Sequence, residues 1–383
     1  MAAWEALLAG ALALYGGSDL LFRWMGVGAL AHGPRNEPKL ALTFDDGPNP
    51  ETTPELLAAL DEVEAKATFF LTGRQAEAHP ELVERIREAG HELASHGRVH
   101  RPPILMAPWT EWAHTAYDPG GLPYYRPPHG SHSPFTRPIA RALGKTVALW
   151  DLESKDWTAM PDDALLERVY EYAQPGSVIL LHDGLPRTPG LVRRMVPELR
   201  RMGFQVVPMS GLNLKPLGFK EGLIRGLQGF DERYDRVHGV RRCRRSADNL
   251  FRCNKAPLPV DLPGVRRGAV GLKLHFDSRR VAAKSPRAIV KGLKRDLKGA
   301  ARWVAEDPEI EAVFAVTPLA EGARELLGFE VHDLPPSRTL VDAVARRFFD
   351  WLYRDPRYPR KKRSPIKLIY LTREALLRRY GGP

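Results

Sequence analysis

The chain has 383 residues, 43% of them hydrophobic and 27% charged, and a formal net charge of +11. This composition excludes a disordered chain, and the length exceeds that of one ordinary core, so we expect two domains. Only two cysteines, Cys243 and Cys253, exclude a disulfide framework, and we favour two free thiols over one bridge formed in an oxidising compartment.

Positive charge is concentrated in the second half of the chain. Residues 1–213 contain 20 Lys and Arg against 26 Asp and Glu, whereas residues 214–383 contain 37 against 20. Such asymmetry indicates a boundary near residues 210–218 and a basic, partner-facing domain at residues 219–383.

Residues 1–37 form an apolar N-terminal segment that admits several interpretations. Apolar residues run from Leu7 to Tyr15 and from Leu21 to Leu30, but neither run reaches the roughly 20 residues of a membrane span. Ala29-Leu30-Ala31 is typical of a signal-peptide cleavage site, although no basic residue precedes Arg23. An imperfect membrane anchor, a cleaved leader and a helix packed on the protein itself are the alternatives. We favour membrane association or export over a cytoplasmic location.

Residues 38–212 alternate short apolar runs with helical patterns. Strands are predicted at residues 40–44, 67–71, 91–95, 124–126, 146–151, 177–181 and 204–209, and helices at 55–66, 80–90, 162–172 and 190–202. The proline-rich stretch 101–124 is predicted to be irregular. This alternation favours parallel strands in an α/β barrel of about seven strands, with the active site at their carboxyl ends.

The second half predicts a smaller α/β or α+β domain of unknown function. Strands are expected at residues 271–276, 311–317 and 366–371, and helices at 286–306, 319–327 and 340–353. Its positive charge suits an anionic membrane or an anionic wall polymer, whereas nucleic acid is disfavoured. A solvated basic face without a partner is the alternative.

The first predicted strand ends on two adjacent carboxylates, Asp45 and Asp46, followed at once by the turn signal Gly47-Pro48. Because side chains alternate along a strand, the two aspartates cannot do the same job. One can bind a cation while the other faces a substrate. A solvated acidic turn is the alternative.

Two histidines, His96 and His100, follow the third strand. Four residues apart, their rings share one face of a helical turn, which suits a divalent metal. Two histidines and one carboxylate, with a position left for water, are typical of a catalytic zinc site, and Asp46 is the expected third ligand. Two surface histidines are the alternative.

Three later strand ends carry polar groups. Arg126, before Pro127-Pro128, is predicted to hold Asp45 in a bidentate pair. The acidic stretch 150–157 is expected to supply a carboxylate that holds a histidine. His182 closes a buried strand and suits a general acid. The alternatives are that Arg126 is a surface arginine, that the acids of residues 150–157 cap the next helix, and that His182 is a core histidine.

Five motifs therefore follow one another in residues 38–212: Thr43-Phe44-Asp45-Asp46-Gly47-Pro48, His96-x3-His100, Arg126-Pro127-Pro128-x-Gly130, Asp156-Trp157 and Leu181-His182. In this order they resemble the motifs of the polysaccharide deacetylase family, the NodB-homology domain of carbohydrate esterase family four. The resemblance implies a distorted (β/α) barrel and metal-dependent removal of N- or O-acetyl groups from a polysaccharide.

The resemblance also implies roles for the motif residues. Asp45 is the implied general base, His182 the general acid, Arg126 the residue that orients the base, and Asp156 the residue that tunes the histidine. The implied metal ligands are Asp46, His96 and His100. Zinc is the preferred divalent metal, with cobalt, nickel and manganese as alternatives. The second half resembles a YkoP-like domain.

The chain departs from the family in three places. Gly97 stands where the family usually has Ser or Thr, and it therefore lacks a hydroxyl that could brace the loop after His96. Glu153 replaces the Asp that many members carry, and the segment from His100 to Arg126 is short, so that we expect a trimmed helix and a more open groove. These departures leave the metal ligands and the base intact.

Three functions are compatible with the sequence. The preferred hypothesis is N-deacetylation of an N-acetylated polysaccharide. The acetylated glycan is left open among chitin oligomers, peptidoglycan, poly-N-acetylglucosamine and acetylxylan, the last of which carries O-acetyl groups. The second is a catalytically silent carbohydrate- or wall-binding module on the same barrel. The third is nucleic-acid binding through the basic half.

Overall fold

The apolar run before Asp45 forms the central strand of a parallel sheet in the computed structural model. The structure describes residues 2–276, 285–317, 320–334 and 366–382. It divides into two compact units, Met1–Gly229 and Phe230–Pro383. The predicted helix at residues 340–353 lies outside the described residues.

The first unit alternates strands and helices as predicted. Its strands are β1 (Lys39–Asp45), β2 (Thr68–Leu71), β3 (Glu92–Ser95), β4 (Tyr124–Tyr125), β5 (Thr146–Val147), β6 (Leu152–Glu153), β7 (Val178–His182) and β8 (Gln205–Val206). Its helices are α1 (Ala2–Asp19), α2 (Thr53–Glu62), α3 (Gly73–Ala78), α4 (Pro80–Glu88), α5 (Pro108–Thr115), α6 (Thr136–Ala142), α7 (Asp162–Tyr172) and α8 (Thr188–Arg201). Helix α9 (Phe219–His238) begins in this unit and ends in the second.

The strands form one parallel sheet in the order β5-β4-β3-β2-β1-β7-β6, and β8 pairs with the start of β1. This arrangement confirms the predicted (β/α) barrel. Phe44 and Phe69 are fully buried on adjacent strands, with their ring centroids 5.1 Å apart. Each such side chain contributes about 1.5–3 kcal/mol when it leaves water. Because the strands are parallel, all their carboxyl ends meet at one edge of the sheet.

Two regions of the barrel differ from the prediction. The stretch expected to be irregular contains helix α5, which begins at Pro108, a residue suited to the first helical position. Of the strand expected at residues 146–151, only Thr146–Val147 forms a strand, β5, and β6 begins after it at Leu152. Between them the backbone turns away: the N–H of Leu149 donates to the carbonyl of Leu30 at 2.8 Å.

The N-terminal segment packs on the barrel from residue 25 onward. The N–H of Leu30 donates to the carbonyl of Val147 at 2.9 Å, so the chain here joins the edge of the sheet. Ala29 and Ala31 are fully buried, which places the tripeptide that resembles a cleavage site inside the fold. Among the described helices, none combines the length and apolar character that crossing a membrane requires.

The second unit is a smaller α/β domain. Its sheet has the order β13-β14-β12-β11-β10-β9, with one parallel pairing, β11 with β12. The strands are β9 (Arg241–Arg242), β10 (Phe251–Pro257), β11 (Val270–Phe276), β12 (Ala312–Thr317), β13 (Glu330–Asp333) and β14 (Lys367–Thr372). In the described part of this unit, helices α10 (Pro286–Glu306), α11 (Ala320–Leu327) and α12 (Arg373–Tyr380) accompany the sheet. The apolar stripe of α10, including Leu293 and Leu297, packs into the same core as Phe251.

Cys243 and Cys253 form a disulfide with their Cα atoms 5.7 Å apart, and no cysteine is free. The prediction of two free thiols is therefore wrong. The reason is the antiparallel pairing of β9 with β10, which places Arg241 opposite Cys253 and brings Cys243 within bridging distance. This hairpin has no clear signal in the sequence.

Candidate active site and metal centre

The strand register brings the predicted site residues together at the carboxyl edge of the sheet. Asp45 pairs with His182 across β1 and β7. Ser95 pairs with Tyr125 across β3 and β4, so the next residues, His96 and Arg126, leave the sheet side by side. Parallel strands end at the same edge, and four separate chain segments therefore contribute to one site.

Asp45 and Asp46 have different backbone conformations, which separates their side chains. Asp45 ends the extended strand and is only 3% exposed. Asp46 has φ +77°, a left-handed conformation that is unfavourable for a residue with a Cβ. The following Gly47 is required, because a Cβ there would lie 2.5 Å from Oδ2 of Asp183. The chain thus turns sharply after the strand and directs Asp46 toward the two histidines.

Asp46, His96 and His100 form a compact set of three ligand atoms. Oδ1 of Asp46 lies 3.3 Å from Nε2 of His96 and 3.2 Å from Nε2 of His100, and all three atoms lie within 4.8 Å of one another. Nδ1 of His96 lies 2.8 Å from the carbonyl of Arg126. That contact makes Nδ1 a donor, so Nε2 is the ring nitrogen that faces Asp46 and is available to a metal.

The segment that carries the two histidines is not the helical turn that the spacing predicted. Residues 96–100 are irregular, with a bend at residues 98–100, and Gly97 has φ +81°, which no right-handed helix accommodates. The two imidazoles nevertheless converge, with ring centroids 5.4 Å apart. Convergence therefore depends on the loop conformation rather than on helical spacing.

The electrostatics of this cluster suit a cation. Burial raises the pKa of Asp46, but the hydrogen bond and charge of His96 outweigh it and lower that pKa to about 2. Burial disfavours protonated His96, yet the charges of Asp45 and Asp46 raise its pKa above the ordinary value. The site thus favours positive charge. Two ring nitrogens and one carboxylate oxygen fit a divalent metal such as zinc, and the three residues would hold it.

Arg126 holds Asp45, but not in the predicted bidentate pair. Its Nη1 donates to Oδ1 of Asp45 at 2.7 Å and to the hydroxyl of Thr43 at 2.9 Å. Its Nη2 donates instead to the carbonyl of Leu149 at 3.1 Å. The guanidinium is fully buried and lies 3.8 Å above the ring of Phe70. Its donors are shared among several partners, so only one nitrogen reaches the carboxylate.

Asp156 and His182 form the predicted acid–histidine pair. Nδ1 of His182 donates to Oδ1 of Asp156 at 2.8 Å, and the backbone N–H of His182 donates to Oδ2 at 2.8 Å. Burial lowers the pKa of His182, but the bond to Asp156 outweighs it and raises the pKa to about 9. His182 is therefore protonated at neutral pH, which is the state a general acid needs.

The structure adds residues that the sequence did not single out. Arg187 donates to the carbonyls of Thr158 and Met160, both at 2.7 Å, and thereby holds the loop after Asp156. Asp183 accepts hydrogen bonds from Thr52 and Thr53 beneath the turn at Gly47. The only sequence signal for Asp183 is its position directly after His182, and Arg187 has none.

His129 also reaches the site. Its ring lies 4.5 Å from that of His100, and its backbone is left-handed, with φ +59°. The sequence placed His129 near the motif residues without giving it a role. His114 was predicted to be a structural or exposed histidine. It is buried beside the loop of residues 96–100, which we call the metal loop.

Comparison with known proteins identifies the family of the chain. The family model described as polysaccharide deacetylase matches residues 32–148. A chitooligosaccharide deacetylase from Sinorhizobium fredii is 32% identical over 191 residues, 44% of this chain and 88% of that protein. A peptidoglycan-N-acetylglucosamine deacetylase from Bacillus cereus is 29% identical over 197 residues, 47% of this chain and 90% of that protein.

Solved structures are also similar. A crystal structure of a peptidoglycan N-acetylglucosamine deacetylase has 28% identity, covers 50% of this chain and 95% of that one, and gives a TM-score of 0.46. The relative from Sinorhizobium fredii aligns over most of its own length. The chain belongs to the polysaccharide deacetylase family and is a hydrolase of carbon–nitrogen bonds other than peptide bonds.

Proposed function

We propose that the protein removes N-acetyl groups from an N-acetylated polysaccharide of the cell wall, with a divalent metal, preferably zinc, as cofactor. One observation carries this proposal: a carboxylate held by a buried arginine and a protonated histidine flank a set of three metal-ligand atoms. That arrangement supplies a base, an acid and an electrophile around one point, which is what amide hydrolysis needs.

The ligand set defines what the cofactor contributes. Asp46, His96 and His100 would hold the metal, and three protein ligands are typical of a catalytic zinc site with an open position. When bound, the metal supplies Lewis-acid chemistry, polarising the acetyl carbonyl and stabilising the charge that develops on its oxygen.

The protein's own residues move the protons. Asp45 takes one proton from the attacking water while Arg126 holds its carboxylate in place. His182 donates a proton to the amide nitrogen as the carbon–nitrogen bond breaks, and Asp156 keeps the ring oriented. Water is added across that bond, so the products are acetate and a free amino sugar.

Relatives and surface chemistry favour a glycan built from N-acetylglucosamine. The relatives named above act on chitooligosaccharide and on N-acetylglucosamine of peptidoglycan. Trp157, next to Asp156, is 57% exposed and offers a flat apolar surface on which a sugar ring can pack. We favour a wall polymer because the disulfide of the second unit suits an oxidising compartment.

We further propose that the protein lies on an anionic phospholipid bilayer. Helix α1 has no charged residue between Glu5 and Asp19, and its residues Ala9, Gly10, Leu12, Ala13 and Leu14 are all exposed. Successive residues of a helix point about 100° apart, so these exposed residues cover a broad part of the helix surface, and that part faces solvent. A helix with so broad an exposed apolar surface suits a lipid environment.

Helix α5 extends the same face. The N–H of His132 donates to Asp19 at the end of α1 at 2.8 Å, while Ser133 and Thr136 donate to Glu111 of α5. Both helices thus contact the segment 132–136. On its outer side α5 exposes two indoles, Trp109 and Trp112, side chains that favour membrane interfaces.

Two exposed arginines lie in the segments next to these helices. Arg23 follows α1, and Arg101 donates to the carbonyl of the exposed Leu105; both arginines are exposed. The excess of Lys and Arg in residues 214–383 adds attraction to anionic lipid. Contact with lipid would bring the candidate active site close to wall glycan that lies near the membrane.

Acetate release tests the proposed activity. Purified full-length protein is loaded with zinc and incubated with N-acetylglucosamine oligomers and with peptidoglycan, alongside chelator-treated protein. Acetate and new amino groups should form only with metal and should be lost in Asp45→Asn. Glycan binding without acetate release from any acetylated glycan, by zinc-loaded protein, would instead favour the silent binding module.

A further inference from the structure

His114 is a buried histidine that the proposed proton transfers do not use. It lies in the last turn of α5 and is 2% exposed. Its Nε2 atom is buried and has no hydrogen-bond partner among the described residues. Such a group needs an explanation, because burying an imidazole without satisfying it is unfavourable.

The ring of His114 occupies the space of a missing side chain at Gly97. A Cβ built on Gly97 would lie 2.1 Å from Nε2 of His114 and 2.3 Å from its Cε1. Atoms that close overlap, so the imidazole and a side chain at position 97 exclude each other. Gly97 directly follows His96, so His114 packs against the backbone of the metal loop.

The backbone of His114 holds the same loop. Its carbonyl accepts the N–H of Arg98 at 3.0 Å, and its Nδ1 lies 3.5 Å from the N–H of Val99. On the opposite side, the N–H of Gly73 donates to the carbonyl of Gly97 at 2.9 Å. The loop between the two metal histidines is therefore fixed between α5 and the start of α3.

The charge state of His114 is compatible with a neighbouring cation. Burial, reinforced by the positive charges of His96 and His100, lowers its pKa to about 4. The ring is neutral at physiological pH and acts through its volume and its contacts.

We propose that His114 is a positioning residue for the metal centre: it fills the space above Gly97 and holds the loop, so that His96 and His100 face Asp46. This inference rests on the proposed metal dependence and concerns the binding of the metal, not the turnover of a glycan. Gly97 and His114 act as a pair, in which the absence of one side chain makes room for the other.

The first test measures metal binding in the full-length protein. Zinc affinity is obtained by competition with a chromophoric chelator, and site geometry from the visible absorption bands of the cobalt-substituted protein. His114→Ala should weaken zinc binding about 10-fold and alter the cobalt bands, as loss of an outer-shell support typically does. His114→Gln, which restores volume above Gly97, should recover most of the affinity.

His91→Ala is the matched control. His91 is also buried in the first unit, and its Nδ1 accepts the backbone N–H of Ala67 at 3.2 Å, but it lies on no metal loop. Both alanine variants remove a buried imidazole, so a merely structural effect lowers the Tm in each. Only His114→Ala should change zinc affinity and the cobalt spectrum.

A double-mutant cycle tests the pairing itself. Gly97→Ala should weaken zinc binding strongly in the parent and much less in His114→Ala, because the overlap is then gone. The backbone strain of a Cβ at positive φ is the same in both backgrounds and cancels. Equal effects of Gly97→Ala in the two backgrounds, or parent-like zinc affinity in His114→Ala, would overturn the proposal.

These readouts separate the inference from the proposed activity. If the parent binds no zinc or cobalt, the proposed metal dependence fails and the inference fails with it. If metal binding follows the expected pattern but no acetate is released, the deacetylase proposal fails while the role of His114 stands.

Discussion

Asp45 and His182 are register partners in adjacent parallel strands, β1 and β7, and both stand at the last residue of their strand. The proposed base and the proposed acid are therefore fixed by the sheet itself, not by mobile loops. Their separate partners are Arg126, which holds the carboxylate of Asp45, and Asp156, which keeps His182 protonated. These two separate pairs underlie several of the predictions that follow.

The two aspartates should separate metal binding from turnover. Asp46→Ala removes the only carboxylate of the three-ligand set and should lose most bound zinc. Asp45→Asn keeps that set and should retain zinc while acetate release falls by about 10²–10⁴-fold, the usual contribution of a general base. Metal analysis after desalting, together with acetate assays, measures both. Zinc loss in Asp45→Asn equal to that in Asp46→Ala would contradict the assignment.

The pH dependence of activity should report the His182–Asp156 pair. A general acid must carry its proton, and the pKa of His182 is raised to about 9, so activity should fall as the pH rises through about 9. Asp156→Asn replaces the charged carboxylate that raises this pKa with a neutral amide, so the fall should begin at lower pH. Rate profiles from pH 5 to about 10 measure the shift.

Thr188 provides a comparison for this shift, because its hydroxyl donates to Oδ2 of Asp156 at 3.2 Å without contacting the ring. Thr188→Val should move the alkaline limb much less than Asp156→Asn. An alkaline limb that stays in place in Asp156→Asn would show that another group supplies the proton.

Removing the buried arginine should destabilise the barrel. Arg126 is fully buried and donates a charged hydrogen bond to Asp45, so Arg126→Ala removes the hydrogen-bonded counter-charge of a buried carboxylate. We expect a loss of about 3–5 kcal/mol in the free energy of unfolding. Denaturant unfolding followed by tryptophan fluorescence measures this loss.

Arg193 is the matched control for Arg126, because it also pairs with carboxylates, those of Glu55 and Glu62, but on the protein surface. Exposed ion pairs contribute little, so Arg193→Ala should leave the unfolding transition nearly unchanged. Similar transitions for both alanine variants would mean that the Arg126–Asp45 pair does not stabilise the fold.

Lipid binding should depend on the exposed leucines of α1. Full-length protein is sedimented with vesicles of phosphatidylglycerol and phosphatidylcholine. The double substitution Leu12→Asp and Leu14→Asp should weaken binding at least about tenfold, because one buried leucine contributes about 1.5–3 kcal/mol. Higher salt should also weaken it if the basic residues contribute.

Leu326→Asp alters a leucine of similar exposure in α11 of the second unit and should leave vesicle binding unchanged. Failure of the parent protein to sediment with these vesicles would refute the lipid proposal. A change in glycan affinity for Trp109→Ala and Trp112→Ala, without a change in vesicle binding, would assign the outer side of α5 to the substrate.

Several features of the fold were readable from local sequence. The apolar runs before Asp45 and His182 predicted buried strands because no charge interrupts them. The amphipathic pattern at residues 286–306 predicted helix α10 with the bounds that the structure shows. Such signals are local, since they depend on periodicity and on turn residues within a few positions.

Features that depend on contacts between distant segments were not readable. The short helix α5 and the disulfide hairpin were missed, because neither has a strong local pattern. The geometry at Arg126 was only partly predicted, since its donors are divided among Asp45, Thr43 and Leu149, which come from other parts of the chain. Tertiary packing decided each of these.

The metal loop shows most clearly which features the sequence determined and which features depended on tertiary structure. The sequence by itself determined which residue types reach the site: two aspartates at a strand end, two histidines, an arginine and an acid–histidine pair. Only the tertiary structure decided how they converge, because Gly97 takes a left-handed conformation and His114 fills the space beside it. The sequence specifies the residue type at each position directly, whereas the volume available to a side chain depends on neighbours that are distant in sequence.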